Sequence, residues 1–203
     1  MAVINLKTRV IQIKIVYYGP ARSGKTASLR LIADRCRERD RSRWVDLKTG
    51  EDHSVFFEFL TLTLPGVNGF DLHVRLYTVP GQDRFNETRK LVLKGADGIV
   101  FVADASAMRK NNILSMKNLG TNLLWHGKDI ARVPLVFQFN KYDLADEGML
   151  LLPPATLWSD LNRAYRRPCF VSSASKGRGV TTALKKIVVL TAHAVQKKFG
   201  EVR

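Results

Sequence analysis

The chain has 203 residues, of which 45% are hydrophobic, and this combination suits one compact domain covering residues 1–203. Lysine and arginine number 33 against 18 acidic residues, so the formal net charge is +15. No apolar run reaches the roughly 20 residues of a membrane-spanning helix. Because no signal peptide or lipid-attachment motif is visible, and because Cys36 and Cys169 have the spacing of isolated reduced thiols, we expect a cytoplasmic location.

The first half of the chain predicts a strand, a helix and a hairpin. The run VIQIKIVYY (10–18) is β-branched and apolar on both faces, as in a buried strand. A Gly-rich turn follows, and then a helix over 25–39. The segments SVFFEFLTLTL (54–64) and FDLHVRLYTV (70–79) alternate with a period of two around the turn residues PGVNG, so they predict an antiparallel hairpin.

The second half alternates strands with helices. Short apolar runs at 97–104 and 133–140 are typical of central parallel strands, and a helix lies between them. A last strand is predicted at 168–174 and a last amphipathic helix at 180–199. The chain is therefore expected to be an α/β protein with a mixed sheet, mostly parallel with one antiparallel edge strand, and helices on both faces. Ligands of such sheets bind at the carboxyl ends of the strands.

The segment GPARSGKT (19–26) matches the pattern G-x-x-x-x-G-K-[ST] between a predicted strand and a predicted helix, which is the context of a phosphate-binding P-loop. Gly19 and Gly24 let backbone N–H groups turn toward a phosphate, while Lys25 offers a positive charge to its oxygens. The Thr26 hydroxyl suits Mg²⁺. The predicted nucleotide-binding residues here are Gly19, Ala21, Arg22, Ser23, Gly24, Lys25, Thr26 and Ala27.

Two further segments predict recognition of a guanine base. NKYD (140–143) follows a predicted strand, and the two carboxylate oxygens of Asp143 suit guanine's N1–H and 2-amino donors. Asn140 is expected to tie this loop to the P-loop, and the Lys141 stem to lie over the base. SSASKG (172–177) follows the next strand, where Ser173 and Ala174 are candidate contacts and the Ala174 N–H is expected to donate to guanine O6.

A fourth segment, YTVPGQDRF (77–85), has the features of a hydrolytic switch. Gly81 allows an amide to approach a γ-phosphate, and Gln82 can orient an attacking water. With this segment the order of motifs resembles the Ras-like small GTPases. The segments FFEFL, YTVPGQ and RKLVLKGADGIVFVAD resemble more closely the bacterial gliding-motility and cell-polarity GTPase family called MglA.

The resemblance implies a GTP/GDP switch that uses Mg²⁺ and is recruited from the cytoplasm to a cell pole. It also implies a Roadblock-type GTPase-activating dimer and polarity effector proteins as partners. Metal contacts are expected from Thr26, Ser54 and Thr78, although most small GTPases have at position 78 an Asp that holds Mg²⁺ through water. Catalytic roles are expected for Gln82, Gly81 and His53.

The departures from the family predict slow hydrolysis. His53 stands where the family usually has a hydrolytic arginine, and an arginine finger contributes roughly 10³ to 10⁵ in rate. Ala21 replaces a P-loop glycine of many relatives, and its methyl group would crowd Gln82. The leading hypothesis is a polarity switch with slow intrinsic hydrolysis. Two alternatives stay open, which are a hydrolysis-deficient GTP-dependent scaffold that recruits polar effectors and a nucleic-acid-associated GTPase.

A run of five arginines between Arg35 and Arg43 carries much of the positive charge. It is either a solvated loop or a contact for an acidic protein or an anionic membrane surface. No aromatic residues of the RNA-binding kind are interleaved with it, which argues against nucleic acid as a partner.

Overall fold

A computed structural model describes residues 2–5, 7–36, 45–47, 57–64 and 70–200. The helices are α1 (Lys25–Arg35), α2 (Asn86–Leu93), α3 (Arg109–Trp125), α4 (Pro154–Leu161) and α5 (Val180–Gly200). The strands are β1 (Val3–Asn5), β2 (Val10–Tyr18), β3 (Val45–Leu47), β4 (Phe57–Leu64), β5 (Asp71–Thr78), β6 (Gly98–Asp104), β7 (Leu135–Asn140) and β8 (Cys169–Val171).

The strands form one sheet in the order β3-β4-β5-β2-β6-β7-β8, and β1 pairs with β2 beside this path. Strands β5, β2, β6, β7 and β8 are parallel, whereas β4 is antiparallel to both β5 and β3. The predicted mixed sheet and its antiparallel hairpin are confirmed. The short strands β1 and β3, which pair antiparallel with β2 and β4, were not predicted, and neither were the helices α2 and α4.

Strand β2 separates two hydrophobic cores, one on each face of the sheet. Its odd-numbered residues, such as Ile13 and Ile15, pack with residues of α1 and α5, and its even-numbered residues Val16 and Tyr18 pack with residues of α2, α3 and α4. Successive side chains of a strand point to opposite faces, so a strand covered on both faces must be apolar throughout. This explains the apolar, fully buried second half of β2, whereas its first half alternates, with half-buried Gln12 and Lys14 between buried isoleucines. The expectation that the run 10–18 is apolar on both faces is therefore correct only for its second half.

All five parallel strands end at the same edge of the sheet. The segments that follow them contain the P-loop, the 79–82 turn, Asp104, the 140–143 motif and the 172–177 loop. The predicted functional segments, apart from those outside the described residues, therefore meet at one edge. Among the helices of the described residues, none is long and apolar enough to cross a membrane.

Candidate functional site

The P-loop is shaped by two glycines, at which any added side chain would be strained and would clash with a neighbour. Gly19 has a φ of 147° and Gly24 a φ of 96°, values that L-residues with side chains rarely adopt. A Cβ added at Gly19 would lie 2.1 Å from the carbonyl oxygen of Val102, and one at Gly24 would lie 2.1 Å from Asn140 Nδ2. The loop is thus pressed against the ends of β6 and β7.

Lys25, the first residue of α1, is buried inside the loop that precedes it. Its Nζ donates hydrogen bonds to the carbonyl oxygens of Gly19 (3.0 Å) and Pro20 (2.6 Å), and it lies 3.4 Å from Ser23 Oγ. Ser23 is buried and Thr26 half-buried, whereas Ala21, Arg22 and Ala27 are exposed. Arg22 has a φ of 60°, so the turn at the loop's centre is left-handed as well.

The buried charge of Lys25 is of a kind that a bound anion would stabilise. Burial, together with the charge of Arg89, lowers the pKa of Lys25 to about 7, against the opposing effect of the Asp104 and Glu58 charges. A buried ammonium has lost its water shell. Oxygen ligands or a neighbouring negative charge compensate for that loss and favour the charged form. A phosphate bound at the loop would supply that charge.

Asn140, at the end of β7, joins the P-loop to the 172–177 loop. Its Nδ2 donates to the Ser23 carbonyl oxygen (2.8 Å). Its Oδ1 accepts hydrogen bonds from the Ala174 N–H (3.0 Å) and from Ser172 Oγ (3.1 Å). Three motifs that lie far apart in the sequence are therefore held by one buried amide group.

The Ala174 N–H has a hydrogen-bond partner within the protein. The sequence predicts the Ala174 N–H as a donor to guanine O6, and within the protein this N–H donates to Asn140 Oδ1. The reason is that β7 and β8 end side by side and bring the 172–177 loop over Asn140. The predicted tie between Asn140 and the P-loop is present.

Asp143 lies beside the same loop as a hydrogen-bonded carboxylate. Its Oδ2 accepts a hydrogen bond from Ser175 Oγ (2.6 Å), and Ser175 Oγ is 3.1 Å from Ser173 Oγ. Burial raises the pKa of Asp143, but hydrogen bonds from Ser175, Ser173 and its own backbone, with the charge of Lys176, outweigh that effect, so the pKa lies below its ordinary value. At neutral pH the side chain is thus an ionised carboxylate, and its two oxygens can accept hydrogen bonds from a pair of N–H donors on a base.

Lys141 has a left-handed backbone, with φ at 76°, and its side chain points back toward the end of β6. Its Nζ lies 2.7 Å from Asp104 Oδ2 and 3.4 Å from Ser106 Oγ. Asp104 also receives a hydrogen bond from the Ser106 N–H at 2.9 Å. Sequence reasoning missed Asp104 and Ser106, although an Asp that ends a buried strand at the ligand edge is a usable signal.

The 79–82 turn packs directly on the P-loop. A Cβ added at Gly81 would lie 2.3 Å from the Ala21 nitrogen and 2.4 Å from its Cα. Arg89, buried on α2, donates to the carbonyl oxygens of Gln82 (2.7 Å) and Pro80 (3.4 Å). The Gln82 side chain is exposed.

A cavity of about 220 Å³ lies between this turn, the P-loop and α3. Ala21 and Gln82 both line this cavity. They are the two residues for which the sequence predicts that the Ala21 methyl group crowds Gln82. The other lining residues are Pro20, Gly81, Arg89, Asn111, Leu114, Ser115 and Asn118.

Thr78, the last residue of β5, has a buried side chain that contacts a carboxylate. Its Oγ1 donates to Glu58 Oε2 (3.2 Å) and accepts a hydrogen bond from the Glu58 N–H (3.3 Å). The oxygens of Thr26, Thr78 and Glu58 are the ligand types that Mg²⁺ prefers, so the donor set fits a hard cation. Glu58 was not among the predicted metal contacts. The predicted residues His53 and Ser54 lie outside the described residues.

None of the protein-family models matches the sequence. A curated protein does: the chain is 38% identical over 201 residues to the mutual gliding-motility protein MglA of Myxococcus xanthus (strain DK1622), and the match covers 97% of this chain and 99% of that protein. An identity of this size over nearly the whole length of both proteins, together with a Ras-like arrangement of sheet, P-loop and base-side motifs, shows common descent. The chain belongs to the MglA-type family of gliding-motility small GTPases.

Proposed function

We propose that this protein is a GTP/GDP switch that regulates cell polarity or motility and hydrolyses GTP slowly by itself. The observation that carries the proposal is the Asn140 side chain, which bonds to Ser23 in the P-loop and to Ala174 in the base-side loop. A nucleotide bound across these two loops would have its phosphates at Lys25 and its base at Asp143. The relative's printed name, a mutual gliding-motility protein, suggests the biological role.

Each residue of the site has a defined task in this proposal. The P-loop amides of residues 21 to 27 and the Lys25 ammonium hold the phosphates, and Asp143 selects guanine. The hydroxyls of Thr26 and Ser54 hold Mg²⁺, which would neutralise charge on the phosphate oxygens when bound. Gly81 supplies a backbone amide to the γ-phosphate, and Gln82 orients the water.

Slow hydrolysis follows from two substitutions that act on the transition state. His53 has at most one N–H donor per ring when neutral, and it lacks the fixed charge of an arginine. Loss of an arginine finger costs roughly 10³ to 10⁵ in rate, which is about 4 to 7 kcal/mol of barrier. Ala21 and Gln82 line the same cavity, so the methyl group of Ala21 would take up part of the space through which Gln82 brings its amide to the water. Neither change removes a ground-state contact to GTP, so binding is retained.

Single-turnover hydrolysis tests this proposal. We expect His53→Arg to raise the rate at least tenfold, and His53→Arg with Ala21→Gly to raise it further, while GTP affinity stays constant. Gln82→Leu should abolish the remaining activity. His193→Arg, on an exposed position of α5, adds the same charge elsewhere and serves as the control.

The same assay separates the switch from the scaffold hypothesis. A slow switch hydrolyses GTP faster when a Roadblock-type dimer is added, and the His53→Arg variant responds as well. If GTP binds tightly and no variant or activator raises the rate, the protein acts as a GTP-gated scaffold for polar effectors.

For partners, we propose a Roadblock-type activating dimer and polarity effectors, with the arginine run contributing to recruitment from the cytoplasm to a pole. Within that run Arg35 is described, and its guanidinium lies beside the base-side loop, since a Cβ added at Gly177 would be 2.3 Å from Arg35 Nη2. Residues 37–43 lie outside the described residues. The run therefore begins next to the nucleotide site.

A further inference from the structure

A second cavity, of about 550 Å³, lies at the edge of the sheet opposite the nucleotide site. It is enclosed by the residues that precede β6 and β7, the segment after α3 and the last turns of α5. Strand β6 has seven residues, so about 20 Å of strand separates this cavity from Asp104 at the ligand edge. A cavity of this volume is of the size that holds small molecules.

The walls of this cavity are mostly apolar. Val195 belongs to the hydrophobic core on one face of the sheet and Val133 to the core on the other face, and both reach the cavity. An apolar molecule bound here would therefore be in contact with both cores at the end of the sheet. The apolar lining residues are Ala2, Ala96, Val133, Pro134, Ala194 and Val195.

Three basic side chains, those of Lys128, Arg132 and Lys198, line the same cavity. Lys128 is half-buried, and its Nζ donates a hydrogen bond to the Ala96 carbonyl oxygen. Burial lowers the pKa of Lys128, and the charge of Lys198 lowers it too, against the opposing effect of Asp97. Two ammonium groups that repel each other beside an apolar cavity would both be stabilised by a bound anion.

Asp97, which precedes β6, is a carboxylate of the cavity that the backbone already engages. Its Oδ1 accepts a hydrogen bond from the Ala2 N–H, and its Oδ2 accepts one from the Lys14 N–H, both at 2.9 Å. The carboxylate is thus held by β1 and β2 and is not free to turn toward the two lysines of the cavity.

Asp129, the other carboxylate of the cavity, is engaged as well. Its Oδ1 accepts a hydrogen bond from the Ala131 N–H (2.8 Å), and its Oδ2 is 3.8 Å from Arg132 Nε. Among the described residues neither Lys128 nor Lys198 forms an ion pair with a carboxylate. The charged side chains that line the cavity sum to +1 (3 − 2), with the two lysines in need of a counter-charge.

We propose that this cavity binds a small amphiphile with a single anionic group, such as a medium-chain carboxylate. Its apolar body lies against the ends of the two cores, and its anionic group lies between Lys128 and Lys198. A neutral apolar molecule would leave the two ammonium groups without a counter-charge, and a compact anion would leave the apolar walls in contact with water. The proposal is independent of the proposed function, because this edge of the sheet is not the edge at which a nucleotide binds.

Isothermal titration calorimetry with two probes of equal chain length tests the proposal. Decanoate, kept below the concentration at which it forms micelles, should bind at one site per chain. Decyltrimethylammonium has the same chain and the opposite charge, so it should bind at least about tenfold more weakly. Inorganic phosphate should not displace decanoate, because phosphate has no apolar body.

Variants of the two lysines test where decanoate binds. Lys128→Gln combined with Lys198→Gln should weaken decanoate binding by about tenfold or more. Lys185→Gln combined with Lys186→Gln makes the same change of charge at two exposed positions of α5 that do not line the cavity, and it should bind decanoate as the wild type does.

A variant of the apolar wall tests the volume of the cavity. Ala194→Leu fills part of the space and should weaken decanoate binding by about fivefold or more. Thermal denaturation checks that each variant folds, and the lysine variants decide the question if Ala194→Leu does not.

The proposal is overturned if the wild type does not bind decanoate, or if it binds the two decyl probes equally well. It is also overturned if the Lys128 and Lys198 double variant binds decanoate as tightly as the Lys185 and Lys186 double variant, since decanoate would then bind elsewhere or respond to net charge alone. Displacement of decanoate by phosphate would contradict the requirement for an apolar body.

Discussion

Asn140 Nδ2 lies 2.8 Å from the Ser23 carbonyl oxygen, and this hydrogen bond connects the end of β7 to the P-loop across 117 residues of sequence. The opposite side of the same amide accepts from Ala174 and Ser172. Buried polar groups that lose a partner each cost about 1 to 3 kcal/mol. Asn140 therefore holds the P-loop and the 172–177 loop in their relative positions.

Replacing Asn140 with Ala should consequently lower both stability and nucleotide retention. We expect a loss of about 2 to 4 kcal/mol in the free energy of unfolding, because three buried groups lose partners. GDP release should accelerate by at least tenfold. Urea denaturation and GDP-release kinetics measure the two effects. Gln196→Ala removes an amide on α5 outside the site, so equal effects from both variants would contradict a special role for Asn140.

Gly81 has no room for a methyl group because it packs on the Ala21 backbone. Gly81→Ala should push the 79–82 turn away from the P-loop, since backbone atoms at 2.3 and 2.4 Å cannot yield as a flexible side chain would. GDP affinity should change less than threefold, whereas hydrolysis should fall below detection. Gly120→Ala is the control, since a Cβ there meets nothing within 4 Å and the helix should gain up to about 1 kcal/mol. If Gly81→Ala hydrolyses GTP as fast as the wild type, the close packing of the 79–82 turn on the P-loop is not required for hydrolysis.

A polar cluster joins β2 to α2 and α3. Tyr18 Oη donates to Asn118 Oδ1 (2.5 Å) and accepts from Asn122 Nδ2 (3.1 Å). Both asparagines also donate to Asn86 Oδ1, at 2.9 and 3.1 Å, which anchors the first residue of α2. The cluster therefore holds the start of α2 against α3 and β2.

Tyr18→Phe should cost about 1 to 2 kcal/mol of stability, because one donor and one acceptor are lost inside the core. For a chain of this size that corresponds to a fall in Tm of about 2 to 8 °C. Amide hydrogen exchange in residues 86–93 should quicken more than in α5. Tyr165→Phe provides the comparison. If the two variants have the same Tm and the same exchange pattern, the cluster does not hold α2.

The arginine run is expected to confer salt-sensitive attachment to an anionic surface. Arg37→Gln, Arg39→Gln and Arg41→Gln together lower the net charge from +15 to +12 (15 − 3). The variant should lose most of its binding to anionic vesicles and keep its GDP affinity. Lys185→Gln, Lys186→Gln and Lys198→Gln on α5 make the same change of charge as a control. Equal binding by both triple variants would mean that only total charge matters.

The sequence predicts the sheet well because β6 and β7 are continuous apolar runs, β4 and β5 alternate with a period of two, and each site motif follows a strand end. It fails where structure depends on pairing across the sheet. Strand β3 has three residues and pairs with β4, and no local pattern marks so short an edge strand. The helix α2 was missed because its first residues adjoin the Pro-Gly turn.

In the site, too, some residues are predicted from local sequence, and others depend on how distant segments pair. Gly19, Gly24, Lys25 and Asn140 are identified by spacing alone. The contact of Glu58 with Thr78 depends on the register of the β4–β5 ladder, and that of Lys141 with Asp104 depends on a left-handed residue. Neither relationship has a signature in the sequence.

The central claim is that this site selects guanine nucleotides through Asp143. Two charged hydrogen bonds at about 1.5 to 3 kcal/mol each predict a preference for GTP over ATP of roughly 10² to 10⁴. Asp143→Ala should remove most of that preference, while Asp146→Ala, a neighbouring exposed carboxylate, should leave it intact. The most direct measurement is therefore the ratio of the dissociation constants of GTP and ATP for the wild type in the presence of Mg²⁺. We predict GTP to bind at least 100-fold more tightly, and equal affinity for the two nucleotides would contradict the account.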